Sequence, residues 1–431
     1  MNLSEVTRIE VREVRSLGPA EEPDRNRFGF RKEHRSPSPG IGGRVTRLRV
    51  VFTCPYSVRK VTGIGVFVSD LMRSLSHYGH EGWVVCPDGP GILLQDLPEH
   101  PSKLVEIPVQ YWPFLRDVIL GLGTARTLLS CRRLFDVIHA QQPHLQTVVA
   151  IVVGRICGRK SVTTLHGRLP RPTGLVRLRF LHFLEWFVLR YSGEIAYVSD
   201  QTKKDFDGAR GKAIANGADE GRFRYDQESR RWAREEIGVR NEFVVLFLSR
   251  WAQIKGVREV LDAFAKVRAV TRNVRLLLVG GGLPEEERFV QEHVRELSIE
   301  TATTLLGVVT DRRPWFQAAD LYLLPSHNEG LPLALLEAMS VGLPCIVTPV
   351  GGMHDVIRDG VNGFVVPEGD ASALAHTIIR CIQDEVIRNA VGRQARETVE
   401  ARFNLDRMAR EYMGVYRSLG DRETGGRVES T

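Results

Sequence analysis

From Leu48 to Cys54 the chain is apolar and rich in β-branched residues, and then a different period takes over. Ile64, Phe67, Val68, Leu71 and Leu75 recur at three- and four-residue spacing, with Gly79 just beyond them. A short, continuous apolar run reads as a strand buried on both faces, and the 3.6-residue period as a helix packed on it. The alternation repeats. Trp83–Cys86, Val137–Ala140, Ser161–Leu165, Glu194–Val198 and Lys212–Ala215 read as strands, with helices over 143–156 and 173–191 between them. A polar, Arg-rich stretch from Asp219 to Asn241 interrupts the pattern, which then restarts. Phe243–Leu248, Val274–Val279, Thr303–Leu306, Leu321–Leu324, Cys345–Thr348 and Gly363–Val366 are the second set of strands, and helices close the chain from 371 to 419. Strand–helix alternation with fully apolar strands predicts parallel sheets covered on both faces, here in two successive doubly wound units.

Composition narrows the class. A chain of 431 residues exceeds one ordinary core, and 43% apolar with 26% charged residues is a globular balance. No apolar run approaches the ~20 residues that span a bilayer. The first 44 residues carry both charge signs, Pro and Gly without sustained period, and read as a disordered leader. Six cysteines stand singly, without metal-site or redox spacing, and read as buried thiols of a cytoplasmic protein. The net charge of +7 favours anionic partners. Without a nucleic-acid module or the interleaving of basic and aromatic residues that a base-stacking platform requires, nucleic acid is not expected among them.

In open parallel sheets, ligands bind beyond the carboxyl ends of the strands, and the chain's unusual residues fall there. Gly63-Ile64-Gly65 follows the first strand, His166-Gly167 a later one, and Asn216-Gly217 the last of the first unit. In the second unit Arg250 and Lys255 follow the first strand, Gly280-Gly281-Gly282 the next, and Ser326 to Glu329 a later one. Arg250 offers a rigid fork and Lys255 a mobile point charge, suited to a phosphate leaving group. Read singly, both would more often be solvated loop cations. Pro332 suits the first turn of a helix, whose free amides would accept an anion. Glu337 sits among Leu335, Leu336, Ala338 and Met339, so its carboxylate is expected to be half-buried and paired. His166 ends an apolar strand before a glycine and is expected in the cleft, whereas His139 reads as a satisfied core residue. Neither Gly63-Ile64-Gly65 nor Gly280–Gly282 completes a dinucleotide fingerprint.

Order and spacing together bring out a resemblance. Glu329-x7-Glu337, Gly342-Leu343-Pro344, Val350-Gly351-Gly352, Ser249-Arg250 with Lys255-Gly256, Leu305-Leu306-Gly307 with Asp320, and Thr164-Leu165-His166-Gly167 resemble the group 1 glycosyltransferases, family 4. The match runs from about Arg44 to Leu419. The resemblance implies an α/β GT-B fold, two Rossmann-like doubly wound domains facing across a cleft. It implies an acceptor domain over 45–220, a linker over 221–240, a donor domain over 241–400, a terminal helix over 401–420 packing back on the first domain, and a tail over 421–431. It implies transfer of a sugar from a nucleotide-diphosphate donor, with retained anomeric configuration and neither metal nor cofactor. His166, Glu329, Arg250 and Lys255 would be catalytic. Arg250 and Lys255 would bind the diphosphate, Glu337 the ribose, and Glu329 the transferred sugar. Backbone amides around Gly330, Leu331 and Leu333 would contact sugar or phosphate, Gly63 would approach the phosphates, and Val308 and Val309 would face the nucleobase. Tyr111, Trp112 and Arg168 are candidates for substrate choice.

The chain departs from the family pattern at Ser249 and Thr62, where Gly is usual, and at Asp355, where Glu is common. Asp205-Phe206-Asp207 has the form of a metal motif from a different glycosyltransferase fold, but its place on a helix speaks against that use. A GT-B epimerase and a non-catalytic nucleotide-sugar binder remain the competing functions. The segment from Leu175 to Arg190 alternates Phe180, Phe183, Trp186 and Phe187 with Arg177, Arg179 and Arg190. It suits a peripheral contact with the inner, anionic face of a cell membrane and a lipid-linked acceptor, but apolar residues all round its axis favour a core helix.

Overall fold

The computed structural model describes residues 11–13, 47–56, 62–88, 103–109, 115–169, 174–207 and 210–421. The first lobe is built on strands β1 (Val11–Glu13), β2 (Arg49–Thr53), β3 (Glu81–Pro87), β4 (Lys103–Ile107), β5 (Val137–Gln141), β6 (Lys160–Leu165), β7 (Glu194–Tyr197) and β8 (Lys212–Ala213). Its helices are α1 (Gly63–His77), α2 (Arg116–Ser130), α3 (Leu145–Ile156), α4 (Leu175–Tyr191) and α5 (Asp200–Asp205). The second lobe adds α6 (Gln227–Glu236), β9 (Phe243–Leu248), α7 (Val257–Val270), β10 (Val274–Val279), α8 (Pro284–Glu296), β11 (Thr303–Gly307) and α9 (Arg313–Ala318). It continues with β12 (Leu321–Leu324), α10 (Leu333–Val341), β13 (Cys345–Val347), α11 (Met353–Val356), β14 (Phe364–Val365), α12 (Ala371–Gln383), α13 (Glu385–Arg402) and α14 (Leu405–Asp421).

The sheets run β1-β4-β3-β2-β5-β6-β7-β8 and β11-β10-β9-β12-β13-β14. Every pairing is parallel except that of β1 with β4. Strand order reverses between β2 and β5 and again between β9 and β12, so each sheet opens a crevice at that point. Separate apolar clusters cover the two faces of each sheet. Thr62 caps α1 by accepting from Gly65 N at 3.1 Å, which gives a polar side chain a use where the family has Gly.

After the second lobe the chain returns to the first. Ala218 N donates to Phe403 O at 2.9 Å, and α14 then packs with α1 on the β2–β5 face. His139 is the polar centre of that contact. Its ring lies 2.7 Å from Tyr416 Oη and 2.6 Å from Thr164 Oγ1, which is 2.9 Å from Tyr412 Oη. Burial pushes the imidazole down to about 3, so it is neutral and satisfied within the core.

Five elements differ from the expectations drawn from the sequence. Strand β4 and helix α2 were not expected, because α2 turns Gly121, Thr124 and Thr127 inward beside Leu120 and Leu128 and so shows a weak apolar period. The stretch read as a linker contains α6, whose Arg230 and Arg234 grip Asp320 at 2.5 and 3.2 Å and fasten it to the second lobe. Of the leader read as disordered, Val11–Glu13 form an edge strand, and the other residues of 1–44 lie outside those described, as do 422–431 of the tail. Finally, α4 is not a core helix: of its seventeen residues only Leu184 and Val188 are buried. Its remaining apolar side chains face outward or sit at the margin. Among the described residues, no helix is long and apolar enough to cross a membrane.

Candidate active site

The carboxyl ends of both sheets face each other across a cavity of about 640 Å³ lined by the two lobes together. From the first lobe come Thr62, Gly63, Gln142, His166 and Arg168; from the second, Arg250, Lys255, Val308, Val309, Arg312, Glu329, Gly330, Leu333 and Glu337. Thr62, Gly63 and Gln142 follow β2 and β5, and Arg250, Lys255 and Glu329 follow β9 and β12, the strands that flank the two order reversals; His166 and Arg168 follow β6, and Val308 and Val309 follow β11. Tyr111 and Trp112 lie outside the described residues.

Two helices point their amino ends into the cavity. The first residues of α1 and α10 line it, and neither helix has an acidic side chain in its first turn. Their free amides and positive dipole ends therefore stay available to an anion. Arg250 stands exposed at the same wall, with no ion pair among the described residues. Lys255 Nζ meets Glu329 Oε1 at 2.8 Å, and Ser326 Oγ donates to that oxygen at 2.9 Å. Lys255 gets its place from a short turn ending at Gly256, whose φ of +75° and contact with the Pro325 carbonyl admit no side chain.

Glu337 is almost fully buried, more so than expected, and its partner is one the sequence reading missed. Arg312 Nε donates to Glu337 Oε2 at 2.5 Å, and Arg312 Nη2 donates to Oε1, a two-pronged pair. Burial works against the Arg312 charge, yet Glu337 outweighs it and holds the guanidinium above its usual value. The Arg312 guanidinium also lies 5.6 Å from the centre of the Phe223 ring. Asp70, buried on α1, feels the same field: burial raises its carboxyl to about 6 against the pull of Arg73 and Arg312. The apolar neighbours of Glu337 signalled that it needed a partner, but nothing in the Thr310-Asp311-Arg312-Arg313 run showed which residue that was.

His166 lies in the cleft with Nε2 2.8 Å from Gln141 Oε1 and its ring edge-on to Phe67. Burial pushes it down to about 3, so it works as a neutral hydrogen-bonding group and not as a cation. Gly330 packs so closely on the His166 carbonyl that a Cβ there would collide with it. Leu331 was expected to contribute its backbone amide. Its side chain is buried in the second-lobe core, away from the cavity, and its carbonyl accepts from Asn216 Nδ2 of the first lobe at 2.6 Å. Asp355, where the family favours Glu, accepts from Gln201 N at 3.2 Å across the lobes. Asp205 ends α5, Asp207 lies two residues beyond it, and neither lines the cavity.

Comparison with known proteins agrees with this geometry. Residues 61–222 match the model of Glycosyltransferase Family 4, and residues 242–384 that of Glycosyl transferases group 1. The chain is 29% identical over 400 residues to N-acetyl-alpha-D-glucosaminyl L-malate synthase of Bacillus anthracis, covering 89% of this chain and 100% of that protein. It is 26% identical over 401 residues to phosphatidyl-myo-inositol mannosyltransferase of Mycobacterium leprae, covering 89% and 99%. The solved structure of Anabaena HepE with UDP and glucose superposes with a TM-score of 0.73 at 22% identity, over 86% of this chain and 100% of that one. With both halves matched in order and the two sheets facing across one cleft, the chain belongs to the group 1 glycosyltransferases of family 4 and is a glycosyltransferase of GT-B fold.

Proposed function

We propose that the chain moves a sugar from a nucleotide-diphosphate donor to an acceptor and keeps the anomeric configuration, using protein cations where other folds use a metal. One observation carries this reading. Arg250, Lys255 and the acid-free amino ends of α1 and α10 converge on a single cavity between the lobes. A departing diphosphate gathers negative charge as the glycosidic bond lengthens, and donors fixed in place stabilise that charge without reorganising. Arg250 meets the phosphates first, and Lys255 shares itself between them and Glu329. Held by Lys255 and Ser326, Glu329 lies where the transferred sugar's hydroxyls would sit. Glu337 has two carboxylate lone pairs engaged by Arg312, and the others remain for the ribose hydroxyls. Val308 and Val309 offer an apolar wall to the base, and neutral His166, whose Nε2 donates to Gln141 Oε1, keeps Nδ1 as an acceptor for a sugar hydroxyl.

HepE structures that hold UDP and UDP-glucose support a uridine donor as the first to test. The relatives named above act on L-malate and on phosphatidyl-myo-inositol by their names, so small hydroxy acids and lipid-linked alcohols are the first acceptors to offer. Incubation with UDP-glucose and these acceptors, followed by NMR of the anomeric proton, tests the proposal. A glycoside with the donor's configuration supports it. An inverted glycoside refutes retention, and a new nucleotide-sugar without transfer shows an epimerase instead.

A further inference from the structure

The chain's positive charge is not spread evenly. Residues 115–191 hold twelve Lys and Arg against three Asp and Glu, while the whole chain nets only +7, so the remainder is net acidic. These residues form α2, α3 and α4, which lie side by side over one face of the first sheet, α3 in contact with both neighbours. The outer side of that layer is apolar as well as basic. Leu122 on α2 is 68% exposed, Ile156 on α3 73%, and Val176 on α4 82%.

Helix α4 gives the layer its character. Val176, Phe180, Phe183 and Phe187 follow at i, i+4, i+7 and i+11, a helical stripe whose first three members are exposed. Trp186 is 54% exposed and lies 6.0 Å from Phe183, ring centre to ring centre. Arg177, Arg179 and Arg190 flank the stripe, all exposed. The first two turns of α4 bury no side chain, so this end of the helix stands proud of the sheet. It follows β6, whose carboxyl end carries the cleft-lining His166 and Arg168. Because each of the three helices starts after a strand or loop at the carboxyl edge of the sheet, their amino ends share the side on which the cleft opens.

A folded protein leaves a broad apolar strip in water only where something covers it. The charge selects the cover. Arginines interleaved with Phe and Trp match a surface that is apolar beneath and anionic on top. We infer that the outer face of α2, α3 and α4 docks on an anionic lipid bilayer, with the α4 stripe seated among the headgroups and the mouth of the cleft beside them. The inference rests on exposure and charge and stands apart from the donor reading above.

Flotation of the full chain with vesicles of phosphatidylcholine, with and without phosphatidylglycerol, tests it. Phosphatidylglycerol is expected to raise the bound fraction by at least about tenfold, and ~1 M salt to release most of the protein. Arg177→Glu with Arg179→Glu is expected to abolish the response to phosphatidylglycerol, and Val176→Ser with Phe180→Ser to weaken it by about tenfold. The replaced side chains are exposed, so each variant keeps its melting temperature, and its thermal shift with UDP-glucose reports the donor site separately. Wild-type protein that ignores phosphatidylglycerol overturns the inference, as do variants that float like the wild type. Sedimentation showing a dimer that both variants dissociate also overturns it and assigns the face to a second copy of the chain.

Discussion

Replacing Arg312 by Met probes how the ribose side of the cleft is held. The Glu337 side chain is 2% exposed and that of Arg312 16%, and each carboxylate oxygen accepts one guanidinium nitrogen. Removing the guanidinium leaves a carboxylate deep in the second lobe with no counter-charge. Breaking one side of such a pair costs about 3–5 kcal/mol, far beyond the loss of an exposed ion pair. For a lobe of this size that corresponds to a fall of roughly 6–20 °C in melting temperature. Removing both charges together, Arg312→Met with Glu337→Leu, should recover most of the loss, because neither partner is then left uncompensated. Thermal and urea unfolding of the two single variants and the double variant form a cycle that isolates the pair. A single Arg312→Met variant costing less than about 1 kcal/mol, or a double variant as unstable as the single, refutes the reasoning. The donor KM gives a second readout: Arg312→Met should raise it even when the protein is folded at the assay temperature.

Other outcomes follow from the same geometry. Lys255→Ala removes a charged hydrogen-bond donor worth about 1.5–3 kcal/mol, so kcat/KM should fall by roughly 10- to 150-fold; unchanged turnover contradicts the assigned role. Gly330→Ala drives a methyl into the His166 carbonyl and should raise the donor KM by separating the lobes, while Gly63→Ala, whose Cβ meets no protein atom, should leave the melting temperature unchanged. His139 is held near 3 in the fold against about 6.5 when unfolded, so the unfolded chain binds the extra proton and this group alone lowers stability by about 1.4 kcal/mol per pH unit of acidification between those values, with His166 adding a like slope. His139→Gln should flatten that fall, and an unchanged slope would count against a buried neutral ring. Asp70 runs the opposite way, near 6 folded against about 3.9 unfolded, so the folded chain gains between these values on acidification and Asp70→Asn should erase the gain.

Much of this was legible in the residues because strong local rules wrote it. The strands of both parallel sheets are continuous apolar runs, and Gly79 with its φ of +77° closes α1 where the period stops. The site residues could be placed because strand ends and helix starts are visible as punctuation, and the cleft is where such ends meet. What escaped depended on partners distant in sequence. Arg312 reaches Glu337 across 25 residues, and no local pattern marks it. Helix α6 looked like a linker because its Arg-rich surface buries only Ala233, yet Arg230 and Arg234 fasten it to Asp320. Helix α4 looked like a core element because apolarity all round an axis is the usual mark of burial. Its exposed stripe shows that sequence gives the apolar content of a helix but not what lies against it. The link from Asn216 Nδ2 to the Leu331 carbonyl, which ties the lobes together, joins residues far apart in sequence and was equally invisible.

The central claim is that one nucleoside diphosphate is gripped by cations and helix ends in the cleft between the lobes. Calorimetric titration of UDP, GDP and ADP against the wild type and Arg250→Ala tests it most directly. At least one diphosphate should bind the wild type, and Arg250→Ala should weaken that binding by about tenfold or more. No binding to the wild type, or equal affinity in the variant, would contradict the account.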